Sequence, residues 1–203
     1  MSPIDGTNIM TIFLNKLPRQ AMCSAALLLI CSSYAQAADN LDVTFSANIR
    51  ETTCDIKIDG GTGDGTSNTI TLGTDGKARV DDIANGAVKF PFKLVITECP
   101  SSLTALKTVV SGKAALDVKT ALDNSVPVNS GGASNVALAI SRADAPEVPF
   151  EINATDDSKR LVWTSSEINS KEVDLLATLI ETKTDGAMTG QFSTLATFNF
   201  TYE

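Results

Sequence analysis

Few residues in this 203-residue chain have the types and spacing that chemistry requires. Cys54 and Cys99 admit three readings: a disulfide, two free buried thiols, or half of a metal site. The metal reading lacks co-ligands, because the chain contains no histidine. That absence also removes the commonest general base. Asp81-Asp82 and Asp156-Asp157 are adjacent carboxylates, but neighbours on a strand face opposite ways, so they read as solvated loop acids. Asp59 to Asn68 (DGGTGDGTSN) invites a calcium reading. It lacks the ligand series and closing Glu of an EF-hand loop, and its Gly, Asp, Ser and Asn are ordinary turn formers. Trp163, the sole tryptophan, follows Leu161-Val162 and reads as core rather than as a ligand platform. There is no G-x-S-x-G elbow and no P-loop. No catalytic, cofactor-binding or metal-binding residue is assigned, and an enzyme is not expected.

The N-terminal residues explain the environment of those cysteines. Lys16 and Arg19 precede an apolar run, Ala21 to Cys31, and Ala35-Gln36-Ala37 supplies a small-x-small cleavage pattern. Residues 1–37 are therefore expected to be a removed signal peptide, with translation starting at Met1 or Met10. A retained anchor is the alternative, but the run is about half the ~20 residues that a span needs. A lipoprotein cut at Cys31 is disfavoured by Ile30, where a small residue would be expected. Cleavage removes Cys23 and Cys31 and leaves Cys54 and Cys99 as the only pair, in an oxidising compartment that would join them. Closing that loop stabilises by roughly 4 kcal/mol in the chain-entropy model. The formal charge of −8 becomes more negative when the basic leader is lost, which excludes nucleic acid and anionic membrane as partners.

The elements that would carry function are strands. Gly190 to Glu203 reads GQFSTLATFNFTYE: Phe192, Thr194, Ala196, Phe198, Phe200 and Tyr202 alternate with polar residues, broken only by Leu195. Such alternation marks a strand with one buried face. Leu41, Val43, Phe45, Ala47 and Ile49 repeat the pattern near the start of the mature chain. Between them, Cys54–Ile58, Thr69–Leu72, Val88–Ile96, Ala105–Val110, Ala114–Val118, Val136–Ile140 and Val173–Leu179 read as further strands, and Leu161–Trp163 as a short apolar segment. Pro91 marks an edge or a bulge. Lys113 to Leu122 is a second possibility for a helical turn or two, and no other helix is expected. Short strands separated by turn signals predict one all-β sandwich.

These features together resemble the pilin subunits of the bacterial chaperone–usher pathway. The resemblance rests on Gly190, the alternating row, the penultimate Tyr202, the Phe92-Leu94-Ile96-Cys99 run, and in looser form Asn68 to Gly73. Ala47 stands where many family members have glycine, and Glu203 where glutamine is common. The resemblance implies an incomplete immunoglobulin-like sandwich lacking its last strand, completed by donor-strand exchange. It implies residues 38–50 as an N-terminal donor extension, with Leu41, Val43, Phe45, Ala47 and Ile49 inserting into a neighbouring subunit, and residues 51–203 as the pilin domain. Gly190, Phe192, Thr194, Ala196, Phe198, Phe200, Tyr202 and Glu203 would form the acceptor groove and chaperone-binding strand, with the carboxylate of Glu203 meeting basic chaperone residues. The implied partners are neighbouring pilin subunits, a periplasmic chaperone and an outer-membrane usher. The implied location is a fimbrium at the cell surface, reached through the periplasm.

Three other functions are weighed. A tip adhesin would need a second domain, for which residues 38–203 leave no room. A minor adaptor with its own receptor-binding face remains open, and no residue identifies a receptor. A free-standing secreted β-sandwich would be stable as a monomer.

Overall fold

The structure, a computed structural model, describes residues 53–203. The expected leader and donor segment lie outside the described residues. The alternating runs become antiparallel strands. β1 (Asp55–Asp59) leads into a small hairpin, β2 (Thr62–Gly63) and β3 (Asn68–Thr69). A one-turn helix, α1 (Val80–Ala84), precedes the long β4 (Lys89–Glu98), and β5 (Leu106–Ser111) and β6 (Ala121–Asp123) follow. After a 3-10 turn at Val128–Ser130 come β7 (Val136–Arg142), β8 (Leu161–Val162), α2 (Ser165–Ser170), β9 (Glu172–Glu181) and β10 (Thr197–Tyr202).

Two sheets result. One has the order β1-β4-β9-β7-β6 and the other β10-β5-β8. The inward residues of β4 (Phe92, Leu94, Ile96) and β9 (Val173, Leu175, Ala177, Leu179) are buried, as period-two alternation requires. They meet Leu106, Val110, Leu161 and Trp163 of the second sheet in one core. Trp163 is buried there and donates from Nε1 to the Thr108 hydroxyl at 3.0 Å, which satisfies the one polar atom of a large ring. β7 is buried on both faces, because Ala137 and Ala139 pack outward against Ala115 and Ala121. Cys54 and Cys99 form a disulfide, with their Cα atoms 4.3 Å apart.

Several local expectations are corrected. Lys113 to Leu122 is not helical, and Ala114–Val118 is not a strand: only the bridge Ala114–Leu122 forms. Asp81 and Asp82 lie in the first turn of α1, where carboxylates favour the helix N-terminus, rather than on a strand or in a loop. α2 was legible but unread. Thr164-Ser165-Ser166-Glu167 is a capping box, with the Thr164 hydroxyl accepting from the Glu167 amide and the Glu167 carboxylate accepting from the Thr164 amide. Pro91 sits where β4 pairs only with β9, since β1 joins the other edge from Lys93 onward, so its missing N–H costs no ladder bond there.

The glycine-rich loop is an ordered hairpin rather than a loose turn. One Asp64 oxygen accepts from the Thr66 hydroxyl and from the amides of Thr66 and Ser67. The Thr66 hydroxyl and those two amides hold the carboxyl well down, at about 2. Asn68 closes the loop from the other side. Its amide nitrogen donates to the carbonyls of Ile58 and Gly60, and its oxygen accepts from the Gly65 amide.

Candidate functional site

The terminal segment was expected to be a strand from Gly190 onward, but ladder pairing begins only at Thr197. The reason is its neighbours. From Thr197 to Tyr202 it pairs with β5, Ser111 to Leu106. Before Thr197, among the described residues, no strand lies beside it, only the polar connection of residues 124–134. Gln191 donates from its amide to the Gly131 carbonyl at 2.8 Å and accepts from the Ala133 amide at 2.9 Å, and the Ser193 carbonyl accepts from the Ser125 amide at 2.7 Å. Odd residues thus bond to that connection. Phe192, Thr194 and Ala196 have no backbone hydrogen bond among the described residues.

Asn124, at the start of that polar, Gly/Ser-rich connection, pins this arrangement. It is 8% exposed. Its amide nitrogen donates to the carbonyls of Ala133 (3.0 Å) and Gln191 (2.8 Å). Its oxygen accepts from the amides of Val126 (3.0 Å) and Ser193 (3.1 Å). Gly190 permits the close approach: a Cβ there would lie 2.3 Å from the Ala133 amide nitrogen. Gly112 does the same where the segment passes β5, since a Cβ would lie 2.6 Å from the Leu195 carbonyl oxygen.

Beside this segment runs an open cleft of about 900 Å³. Gly190, Phe192, Thr194, Ala196 and Phe198 line it along one stretch of chain. Ile70, Leu72, Val80 and Ile83 line it from the segment that leads into α1. Phe92, Leu138, Ile140, Ala177 and Leu179 belong to the core sheet and form its apolar lining. Phe198 meets Phe92 across the two sheets, with ring centroids 5.9 Å apart and planes tilted by 53°. The expected strand Thr69–Leu72 is cut short, because β3 ends at Thr69. Ile70, Thr71 and Leu72 have no backbone hydrogen bond among the described residues. Ile70–Leu72 and the even residues Phe192, Thr194 and Ala196, all without backbone hydrogen bonds among the described residues, therefore border one cleft.

The alternation of the terminal segment survives intact, but it is incompletely covered. Every even residue from Phe192 to Tyr202 is half-buried and every odd one exposed. The inward residues of β4 and β9 are fully buried by contrast, so the terminal row lacks cover that the core strands have.

Phe200, Tyr202 and Glu203 do not line the cleft. Phe200 packs against the core. The Tyr202 hydroxyl donates to the Cys54 carbonyl at 3.2 Å, tying the end of β10 to the disulfide, and burial raises its pKa. The Glu203 main-chain oxygen accepts from the amides of Thr104 and Ala105, both at 2.9 Å, and from the Thr104 hydroxyl at 2.7 Å. Its side chain pairs with Lys107 at 2.8 Å, and Lys107 also reaches Asp157 at 3.3 Å. Glu203 and then Asp157 raise the Lys107 pKa, while Arg160 and then Lys107 lower that of Asp157. Asp157 is thus part of an ion-pair chain rather than a free loop acid. Among the described residues there is no cluster of three or more side chains suited to a metal ion.

The chain is similar to known proteins in sequence and in fold. The uncharacterized fimbrial-like protein YadM of Escherichia coli (strain K12) is 28% identical over 171 residues, spanning 82% of this chain and 88% of its own length. Among solved structures, the P pilus rod subunit PapA matches with a TM-score of 0.50 at 17% identity, over 80% of this chain and all of that one, and so shares the fold. A chaperone–usher pilus structure matches with a TM-score of 0.48 at 18% identity, over 81% of this chain and 96% of its own. The family model for fimbrial proteins matches residues 43–203, and the chain belongs to that family.

Proposed function

We propose that this chain is a structural subunit of a fimbria that polymerises when residues 41–49 of one copy fill the cleft of another. The observation that carries the reading is the open cleft between backbone at Ile70–Leu72 and at Phe192, Thr194 and Ala196 that has no backbone hydrogen bond among the described residues. A strand added at an open edge supplies main-chain hydrogen bonds, and alternate side chains fill pockets; chaperone–pilin complementation is a known instance of this mode.

The dimensions fit. Leu41 to Ile49 and Gly190 to Phe198 each span eight residue steps, about 27 Å of extended strand. Leu41, Val43, Phe45 and Ile49 would each contribute about 1.5–3 kcal/mol on burial, roughly 6–12 kcal/mol before the cost of ordering the segment. The acceptor residues are then Gly190, Phe192, Thr194, Ala196 and Phe198. Phe200, Tyr202 and Glu203 hold the end of the strand in place.

By family likeness, residues 1–37 direct export into the periplasm. A chaperone there covers the cleft with a strand of its own, and an outer-membrane usher exchanges that strand for the next subunit. The mature protein belongs to the fimbrium outside the cell, where it supports adhesion.

The test uses a fluorescent peptide of residues 38–50. The monomeric fraction of the chain will take up one peptide per copy, and will not take up the same peptide carrying Phe45→Asp. Equal uptake of both peptides, or uptake of neither, contradicts the proposal.

A further inference from the structure

Among the described residues, the cleft contains one buried side-chain polar atom with nothing to bond. Among the described residues, the Thr194 hydroxyl is the only buried side-chain oxygen or nitrogen without a hydrogen-bond partner. Its neighbours in the alternating row are Phe192 and Ala196, which have no side-chain polar atom, and the hydroxyl at the far end of the row, on Tyr202, is satisfied by the Cys54 carbonyl. Two buried polar side chains elsewhere are paired: Thr108 accepts from Trp163, and Asn124 uses both its nitrogen and its oxygen. The orphan is therefore confined to the cleft, at the middle of the stretch from Gly190 to Phe198.

We infer that Thr194 is a partner-reading residue, whose hydroxyl bonds a main-chain group of the incoming strand. This rests on the proposed filling of the cleft by residues 41–49 of a second copy. Those residues present only apolar side chains at alternate positions, so the acceptor they offer is a backbone carbonyl. The backbone groups of Thr194 have no backbone hydrogen bond among the described residues, which is where an added strand brings its carbonyls. A buried hydroxyl left unpaired costs free energy, and one that gains an acceptor recovers it. The empty subunit thus carries a penalty that the correct partner removes. A strand whose backbone is set off register, or is held away by a bulky side chain at this level, leaves the penalty in place. Thr194 in this way favours a donor of the right register over other apolar segments of similar hydropathy.

The variants Thr194→Val and Thr194→Ser, made in the full chain, separate this role from packing. Valine keeps the shape and removes the hydroxyl, while serine keeps the hydroxyl. Thr194→Val is expected to leave the melting temperature of the peptide-free chain unchanged or slightly raised. It is expected to weaken uptake of the residue 38–50 peptide by about five- to tenfold, the usual worth of one hydrogen bond. Thr194→Ser should retain most of the affinity. Peptide affinity that is unchanged or tighter in Thr194→Val overturns the inference, as does a loss that serine fails to restore. If the wild-type chain takes up no peptide, the proposed filling of the cleft fails with it; if wild type binds and valine binds equally, only the role of Thr194 fails.

Discussion

A chain lacking residues 38–49 will fold, will take up the residue 38–50 peptide in its own cleft, and will form no polymer. Each subunit in the proposed arrangement gives one strand and receives one. Deleting the giving end leaves the receiving end untouched. Removing Leu41, Val43, Phe45 and Ile49 forfeits roughly 6–12 kcal/mol of burial, equivalent to about 10⁴- to 10⁹-fold in the subunit–subunit equilibrium. At that scale no attainable concentration restores assembly. Mixed with the full chain, the shortened one should terminate growing polymers, so that ladders on gels run without heating shift to shorter lengths as its fraction rises. Ladders of normal length from the shortened chain alone would show that the donor lies elsewhere.

Asn124→Leu will cost more stability than any other single polar-to-apolar change in the 124–134 connection. Leucine has a similar volume, so packing alone predicts a mild effect. The amides of Val126 and Ser193, however, would each lose their acceptor, and the carbonyls of Ala133 and Gln191 would each lose a donor. Both amide bonds are part-buried, so losing the two acceptors costs about 1 kcal/mol each, a sizeable share of the 5–15 kcal/mol that holds a typical domain together. The damage falls on the cleft, because Ser193 and Gln191 lie either side of Phe192, and peptide uptake should fall in step with stability. Urea unfolding of the variant and wild type reads the first effect. A midpoint shift equivalent to less than about 1 kcal/mol would mean that these bonds are replaced by water and do not fix the terminal segment.

Much of this architecture is legible in the sequence, because period-two alternation reports directly which strand faces are buried. Phe92-Leu94-Ile96 and Val173-Leu175-Ala177-Leu179 became the inward faces of β4 and β9. The row from Phe192 to Tyr202 kept its alternation even where no ladder forms. What alternation cannot report is where pairing stops. Thr69–Leu72 and Gly190–Ala196 both read as strands, yet they pair little, because each lies beside the cleft. Side-chain pattern reflects the covered state, while hydrogen bonding reflects the neighbours present. Asn124 escaped notice for a different reason. Its partners lie 9 and 67 residues away at Ala133 and Gln191, and a lone asparagine in a Gly/Ser-rich stretch reads as a turn former. The lining residues Ile70, Leu72, Val80 and Ile83 were likewise invisible as a group, since only the fold brings that segment to the terminal one.

The central claim is that a single copy is left incomplete and is finished by a strand from outside itself. Thermal unfolding of the isolated monomer, with and without excess residue 38–50 peptide, tests it most directly. The account predicts a low and weakly cooperative transition alone, and a sharp transition raised by tens of degrees once the peptide is bound, as roughly 6–12 kcal/mol of added burial requires. A monomer that melts cooperatively at high temperature by itself, and at the same temperature with the peptide present, would contradict it.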